Sequence, residues 1–274
     1  MSDPISYIAI GAAIGGAAGK FVEKSWDTGE KWLSSFFKNH QQKAKDKAYE
    51  NSKSFLNELA KRVEELEKKE VVDSKQIEEA QDHPDFSVIL QKAILSSSQT
   101  DDKGKHLLLA RLVSERLKAK SDSVLSLASK MACDAISFAT KQQLDLLGLI
   151  TNVFYIQPSN PLSEQDYSVW LLTRLSNYMN LKITNLDYLH LEAISCLKFE
   201  PVLSKGDLIT LLSKKNAGIF NKNEFANHLI GKSLSSLWKE NKMSSISLTS
   251  VGQIIGVYVS DMYTNGKTNF VDWY

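Results

Sequence analysis

The chain has 274 residues, of which 43% are hydrophobic, and its 33 basic and 32 acidic residues nearly cancel. This balance lacks the basic excess typical of nucleic-acid binding, so we expect no nucleic-acid partner. The two cysteines, Cys133 and Cys196, stand far apart and form no CxxC motif, which argues against a disulfide framework or a zinc site.

The residues from Ile5 to Val22 form an apolar stretch that is interrupted by one charge, Lys20. A helix of this length would run about 27 Å, close to the roughly 30 Å hydrocarbon core of a bilayer. Small residues repeat on one face of this helix and larger ones share another face: Gly11, Gly15 and Gly19 on the first, and Tyr7, Ile10, Ile14 and Phe21 on the second. Such a glycine zipper lets the backbones of neighbouring copies approach closely.

The glycines also weaken a solitary helix, because each costs about 1 kcal/mol relative to alanine. We therefore predict a segment that spans a membrane mainly when several copies pack together. If the segment inserts, the lysines that follow it place its C-terminal side in the cytoplasm. The alternative is a short Ala/Gly-rich helix in a soluble core, or a frayed N-terminus.

Residues 20–38 predict an amphipathic helix whose apolar side is rich in aromatic residues. The apolar side chains fall within roughly 160° of helical arc, and charged and hydroxyl side chains occupy the other half. Aromatic residues opposite lysines are typical of helices that lie at a membrane surface. We assign this seating role to Trp26, Trp32, Phe36 and Phe37. A core-facing aromatic stripe and a pore-lining helix both stay open as alternatives.

The rest of the chain predicts a mainly α fold, with domains at 1–40, 41–157 and 158–274. Residues 41–70 predict a surface helix with one buried stripe, and the helices after it complete a central helical bundle. These further helices are predicted at 85–99, 105–120, 122–140 and 141–155, the last with Thr140 as its cap.

The prolines at 158 and 161 mark the most probable domain boundary in this sequence. Beyond it the sequence predicts helices and one short alternating run, 244–248, which could pair with 268–273 as a small β element. This combination suggests a winged-helix-like C-terminal domain. Its helices are predicted at 163–180, 185–198, 207–214, 223–240 and 250–263, the last with Thr249 as its N-cap.

The sequence carries no catalytic or metal-binding signature that we can assign. Its five histidines are scattered without the spacing of metal ligands. The run Gly231-Lys232-Ser233 resembles the end of a phosphate-binding P-loop, but Ala226 stands where the first glycine is required. We therefore predict no enzymatic activity, no cofactor and no metal.

Three segments together resemble bacterial proteins of the Abi-alpha kind, which are associated with abortive infection against phage. They are the glycine-rich head, the run HLLLARLVSERL at 106–117 and the run SLTSVGQIIG at 247–256. The resemblance implies a defence effector that acts on a membrane.

The leading hypothesis is a cytoplasmic protein that moves to, or resides at, the bacterial inner membrane. A trigger would assemble a homo-oligomer whose N-terminal segments permeabilise that membrane. A phage-encoded, ring-forming protein would suit as the trigger, because it supplies a high local concentration of binding sites. The alternatives are a membrane-tethered scaffold without pore activity, and a soluble regulatory protein with a winged-helix-like tail.

Overall fold

The computed structural model describes residues 15–118, 123–266 and 268, and in this part of the chain the fold is mainly α with one two-stranded sheet. The mainly α fold predicted from the sequence is thereby confirmed. The chain divides into two compact units, one ending at Ser137 and one beginning at Phe138.

Within residues 15–118 and 123–138 the structure describes six helices of the first unit, and the last of them ends one residue beyond the division. Helices α1 to α6 are Gly16–Phe36, Gln42–Lys68, Ser74–Asp82, Pro84–Ser98, Lys103–Arg116 and Val124–Phe138. Helix α2 lies at the centre, packed against α1, α4 and α5. It buries Phe55, Leu56, Leu59 and Val63 on one stripe, which confirms the predicted single buried stripe.

Helix α3 was not predicted from the sequence, because its nine residues bury only Ile77 and give a weak apolar pattern. Its start is set by a capping box in which the Asp73 side chain accepts from the Gln76 amide and the Gln76 side chain accepts from Asp73. It ends at Asp82, where His83 adopts an extended backbone and Pro84 begins α4.

Helix α1 begins at Gly16, which differs from the predicted continuous helix over Ile5–Val22. Gly15 has φ 68° and ψ −175°, and Gly16 has φ 62°, so the helical backbone does not extend through Gly15. Glycine adopts such angles without the steric penalty that other residues meet. In this conformation Gly15 therefore does not share a helix face with Gly19. Among the described residues, no helix has both the length and the apolar character that crossing a membrane requires.

The described part of the second unit contains seven helices and the sheet. Helices α7 to α13 are Lys141–Phe154, Glu164–Leu175, Asn185–Ala193, Leu208–Lys214, Lys222–Asn227, Leu229–Glu240 and Ser250–Thr264, with 3-10 turns at Ser176–Tyr178 and Met243–Ser245. The predicted caps are confirmed: the Thr140 hydroxyl accepts from the Gln143 amide, and the Thr249 hydroxyl accepts from the Gly252 amide.

The predicted helix over 223–240 is wrong in one respect, because it is broken at His228 into α11 and α12. His228 has an extended backbone, and its Nδ1 accepts from the Ile230 amide at 3.2 Å, which caps α12. The turn brings Gly231 so close to the preceding helix that an added Cβ would lie 1.8 Å from the Phe225 carbonyl oxygen.

The predicted strand at 244–248 is present as β2, Ile246–Leu248, whereas the predicted partner segment lies almost entirely outside the described residues. Strand β2 pairs antiparallel with β1, Leu197–Phe199, in the register Leu197 to Leu248 and Phe199 to Ile246. Of the predicted partner segment 268–273, only Thr268 is described. Three helices separate the two strands in sequence, so this pairing is long-range and local periodicity did not indicate it.

The division between the units lies before α7, whereas the sequence placed a boundary at the Pro158–Pro161 break. The reason is that α7 packs along α13, the most extensive helix contact in the chain. Two glycines allow this approach, since an added Cβ at Gly256 would lie 2.0 Å from Thr151 Oγ1, and one at Gly148 would lie 2.8 Å from Val259 Cγ1.

Candidate functional site: helix α1 and its docking face

The structure describes only part of the predicted membrane-active segment. Tyr7, Ile10, Gly11 and Ile14 lie outside the described residues. Of the others, Gly15 precedes α1 and Gly19 is buried within it. Trp26 and Phe37 are buried, Trp32 is half-buried and Phe36 is 50% exposed. The predicted aromatic set is therefore divided between the protein core and the surface.

Helix α1 packs on a surface of the first unit that we call the docking face, formed by Tyr49, Glu67, Phe86 and Ile94 of helices α2 and α4. The contact places a stripe of α1 against this face, and the stripe consists of Ala18, Gly19, Phe21, Val22, Ser25, Trp26, Gly29 and Leu33. Its three- and four-residue spacing is that of one face of an α-helix.

The first turn of α1 is capped by a residue from another helix, Glu67 of α2. Its carboxylate oxygens accept hydrogen bonds from the Ala17 amide at 3.3 Å and the Ala18 amide at 3.2 Å. The first amides of a helix have no partner inside the helix, and the positive end of the helix dipole favours a carboxylate there. Glu67 therefore stabilises the start of α1, a role that usually falls to a neighbouring residue in sequence.

Aromatic contacts hold the middle of α1 on the docking face. The Phe21 ring packs edge to face on Phe86, with centroids 5.9 Å apart, and Trp26 packs in the same manner on Tyr49 at 6.1 Å. Each such pair contributes about 0.5–1.5 kcal/mol beyond the burial of its area. Phe21 and Trp26 thus have defined protein partners in this conformation.

One glycine allows the closest approach of α1 to the docking face. A Cβ added at Gly29 would lie 2.8 Å from Ile94 Cδ1, and Ile94 is itself completely buried. On the same buried stripe of α1, the Ser25 hydroxyl has no hydrogen-bond partner among the residues that the structure describes. The docked helix therefore carries an unsatisfied polar group, which lowers the stability of this packing.

The polar contacts at the edges of α1 contribute less to the stability of the docked helix than its aromatic contacts do. Lys24 Nζ lies 2.9 Å from Asp82 Oδ1, but both side chains are largely exposed, and such pairs contribute at most about 1 kcal/mol. Gln81 Nε2 donates to the Phe21 carbonyl oxygen at 3.1 Å. These contacts set the register of α1 along α3 more than they hold it in place.

The C-terminal end of α1 presents a small aromatic cluster at the surface. The rings of Phe36 and Phe37 have centroids 5.0 Å apart, and His40 stacks on Phe36 at 6.4 Å. Of the three rings, Phe37 is buried, whereas Phe36 and His40 are exposed. Of the four residues assigned to membrane seating, Phe36 is the most accessible before any rearrangement.

A buried ionic cluster lies next to the docking face, around Asp85. Asp85, next to Phe86 on α4, accepts from Arg116 at 2.6 Å and from the Ser126 hydroxyl at 2.9 Å, and it also contacts Lys130. The Arg116 side chain is only 5% exposed. The cluster joins α4 to α5 and α6, and sequence reasoning missed it because the partners of Asp85 lie 31 or more residues away from it in sequence.

Three side chains of types that often act in catalysis, His106, Cys133 and Cys196, are buried. His106 is buried and bonded to the Ser54 hydroxyl and the Thr100 carbonyl oxygen. Burial raises the pKa of the Cys133 thiol to about 12, and burial likewise raises that of Cys196 to about 12. Within residues 15–118 and 123–266, no three His, Cys, Asp or Glu side chains group as metal ligands.

Among known proteins, this chain is similar to one family of sequences. A protein-family model matches the chain over residues 19–223 and again over residues 200–274. No curated protein and no solved structure matches it. The match begins at Gly19, and it does not show that the family is the Abi-alpha one. Because the two matched ranges together cover well over half of the chain, the chain belongs to the family that this model describes.

Proposed function

We propose that this protein is an anti-phage effector of the abortive-infection type that carries its N-terminal segment docked in the resting state. On a trigger, α1 leaves the docking face, several copies assemble, and their glycine-zipper segments permeabilise the inner membrane. The observation that carries the proposal is the burial of an aromatic, amphipathic helix directly after a glycine-rich apolar segment.

Three features of the docked helix bear on its release. The capping carboxylate comes from a distant residue, Glu67, so this cap stabilises α1 only while it is docked on α2, and a change that removes the cap favours release. The Ser25 hydroxyl has no partner among the described residues, so burial of this group opposes docking. The same face that packs on the protein, with Phe21 and Trp26, has the composition of a face that binds a membrane surface.

The first experiment compares Glu67→Ala with Glu64→Ala in vesicles of phosphatidylethanolamine and phosphatidylglycerol that contain a self-quenching dye. Both variants remove one carboxylate from α2, but Glu64 pairs with Lys68 on its own helix, whereas Glu67 caps α1. We expect Glu67→Ala to release dye several-fold faster than wild type, and Glu64→Ala to match wild type. Equal release by the two variants would contradict the proposal.

The glycine zipper needs a separate variant. Gly15→Leu is a poor test, because Gly15 has φ 68° and any larger residue there is strained in the docked state. Gly11→Leu leaves that turn unchanged. Added to Glu67→Ala, it should return dye release to the wild-type level, since it blocks the close approach of neighbouring copies. Continued fast release would show that the zipper has no part in permeabilisation.

A second candidate function is a scaffold or regulatory protein in which α1 never leaves the core. The burial of Ala18, Phe21 and Leu33 in the first unit favours it. Deletion of residues 1–38 cannot decide between the two, because it removes α1 and exposes the docking face. Deletion of residues 1–14 keeps α1. A membrane-potential dye is then followed in infected cells that carry either the full chain or this deletion. If the protein is an effector, the full chain should depolarise the membrane and the deletion should not. If it is a scaffold, neither form should depolarise the membrane.

A further inference from the structure

The second unit contains a cavity that the proposed function does not use. It has a volume of about 630 Å³ and lies between the loop before α10, the C-terminal half of α12 and the 3-10 turn Met243–Ser245. This volume falls within the range of about 300–1,000 Å³ that is usual for small-molecule sites. The cavity lies wholly within the second unit.

The floor of the cavity is apolar and rigid. It includes Leu208 and Trp238, which are 2% and 4% exposed as whole residues, together with Pro201 and Ile209 at its edge. The Trp238 Nε1 donates to the Gly206 carbonyl oxygen at 3.2 Å, so the indole ring has a fixed orientation. A preformed apolar surface of this kind suits the apolar or aromatic body of a ligand.

One wall of the cavity carries hydroxyl groups, and one of them lacks a partner. Ser204 donates to Ser244 at 3.1 Å, and Ser245 donates to the Leu203 carbonyl oxygen. In contrast, the Ser235 hydroxyl is buried and has no hydrogen-bond partner in the part of the chain that is described. The Ser235 oxygen is enclosed by protein atoms, so the hydroxyls of this wall that a ligand can reach are those of Ser204 and Ser244.

The charges at the cavity favour an anion. Lys239 and Lys242 line it, and among the described residues neither has an ion-pair partner. The lining carboxylate, Asp207, accepts from the Thr210 amide at 2.9 Å and caps α10, so its single negative charge leaves the two lysines in excess. Lys242 directly follows Asn241, the C-cap of α12, and its left-handed backbone with φ 50° ends that helix.

We propose that this cavity binds a small organic anion, one that joins a carboxylate or phosphate group to an apolar or aromatic body. Lys239 and Lys242 pair with the anionic group, and the Ser244 hydroxyl, which accepts a bond from Ser204, donates its own proton to that group. The body lies on Trp238 and Leu208. The size of the cavity corresponds to a ligand with the dimensions of a drug-sized molecule, not of a polymer.

The test uses the aromatic sulfonate 8-anilinonaphthalene-1-sulfonate and its uncharged relative N-phenyl-1-naphthylamine, both followed by fluorescence. The variant Lys239→Ala/Lys242→Asn removes two charges from the cavity, and asparagine tolerates the left-handed backbone at 242. The control Lys222→Ala/Lys232→Ala removes two charges from exposed residues of the same unit that do not line the cavity. Far-UV circular dichroism confirms that both variants are folded.

We expect the wild type to bind the sulfonate at one site, the cavity variant to bind it about tenfold more weakly, and the control to bind as the wild type does. Binding of the uncharged probe should not depend on the lysines. Phenyl phosphate or benzoate should displace the sulfonate, and which of them does so better identifies the anionic group. The proposal is overturned if both lysine variants weaken binding equally, or if benzyl alcohol competes as well as the two anions.

This inference is independent of membrane activity, because its test uses a soluble probe and no vesicle. If the sulfonate does not bind in the cavity, the proposed release of α1 is unaffected. If the vesicle experiment shows no difference in dye release, the proposed anion site is unaffected.

Discussion

Glu67 and Ala18 lie 49 residues apart in the chain, and the Glu67 Oε2 atom accepts a hydrogen bond from the Ala18 amide at 3.2 Å. Together with the bond from the Ala17 amide, this contact supplies α1 with the cap that its own sequence lacks, since Gly15 has no side chain to provide one. The start of α1 is therefore coupled to its docking on α2.

Glu67→Ala should expose the first turn of α1 to solvent. The loss of a cap costs about 0.5–2 kcal/mol, so the amides of Ala17 and Ala18 should exchange with deuterium roughly 2- to 30-fold faster at 25 °C. Hydrogen exchange resolved by mass spectrometry measures this change.

The control is Glu64→Ala on the same helix, whose partner Lys68 is largely exposed. We expect its effect on α1 amides to be below about 0.5 kcal/mol. If the two variants increase exchange in α1 to the same extent, the cap does not stabilise α1.

Asp85→Asn should destabilise the first unit strongly. The substitution leaves Arg116, which is 5% exposed, next to a neutral group, and breaking a buried pair on one side costs about 3–5 kcal/mol. Urea unfolding followed by tryptophan fluorescence should show a lower midpoint, since Trp26 and Trp32 report on this unit. Asp82→Asn, which breaks only the exposed pair with Lys24, should shift the midpoint little.

Gly256→Ala should destabilise the second unit. The new methyl group would lie 2.0 Å from Thr151 Oγ1 and 2.5 Å from the Leu147 carbonyl oxygen, so α7 and α13 would have to separate. Overpacking of this kind typically costs about 1–3 kcal/mol, and thermal unfolding measures it.

Adding Thr151→Ala to Gly256→Ala should recover only part of the lost stability. The substitution removes the hydroxyl contact, but the Leu147 carbonyl oxygen belongs to the backbone and stays. Complete recovery would mean that the helix backbones are not in close contact at Gly256.

The second unit should become more stable as the pH rises from about 7 to about 9. Burial lowers the pKa of Lys215 to about 7, and the positive charge of Arg174 lowers it further. In the unfolded chain its pKa is near the ordinary 10.5, so in this window the unfolded state binds more protons and stability increases with pH.

Lys215→Met tests this assignment, because methionine has a similar length and no charge. Its free energy of unfolding should vary less with pH between about 7 and 9 than that of the wild type, as chemical denaturation at each pH would show. An unchanged slope would show that Lys215 is not the group responsible. Buried tyrosines do not interfere, since burial raises the pKa of Tyr178 and of Tyr167 above the ordinary value of 10.

The sequence alone was sufficient for the helical class of the fold, for most helix positions and for the caps at Thr140 and Thr249. These features are local: an apolar stripe at helical spacing and a hydroxyl followed three residues later by the amide it caps. The sequence also singled out the aromatic residues of α1, although it could not say whether they face lipid or protein.

Tertiary structure decided the features that depend on residues distant in sequence. The pairing of Leu197 with Leu248, the ionic cluster around Asp85 and the cap that Glu67 gives to α1 each join segments about 30 to 50 residues apart, or farther. No local pattern encodes such contacts, because the partners meet only after the helices have packed. The burial of Trp26 likewise depends on a residue distant in sequence, because its amphipathic helix would suit a bilayer surface equally well. An apolar side chain leaves water for any apolar surface within reach, and for Trp26 that surface is Tyr49 on the docking face.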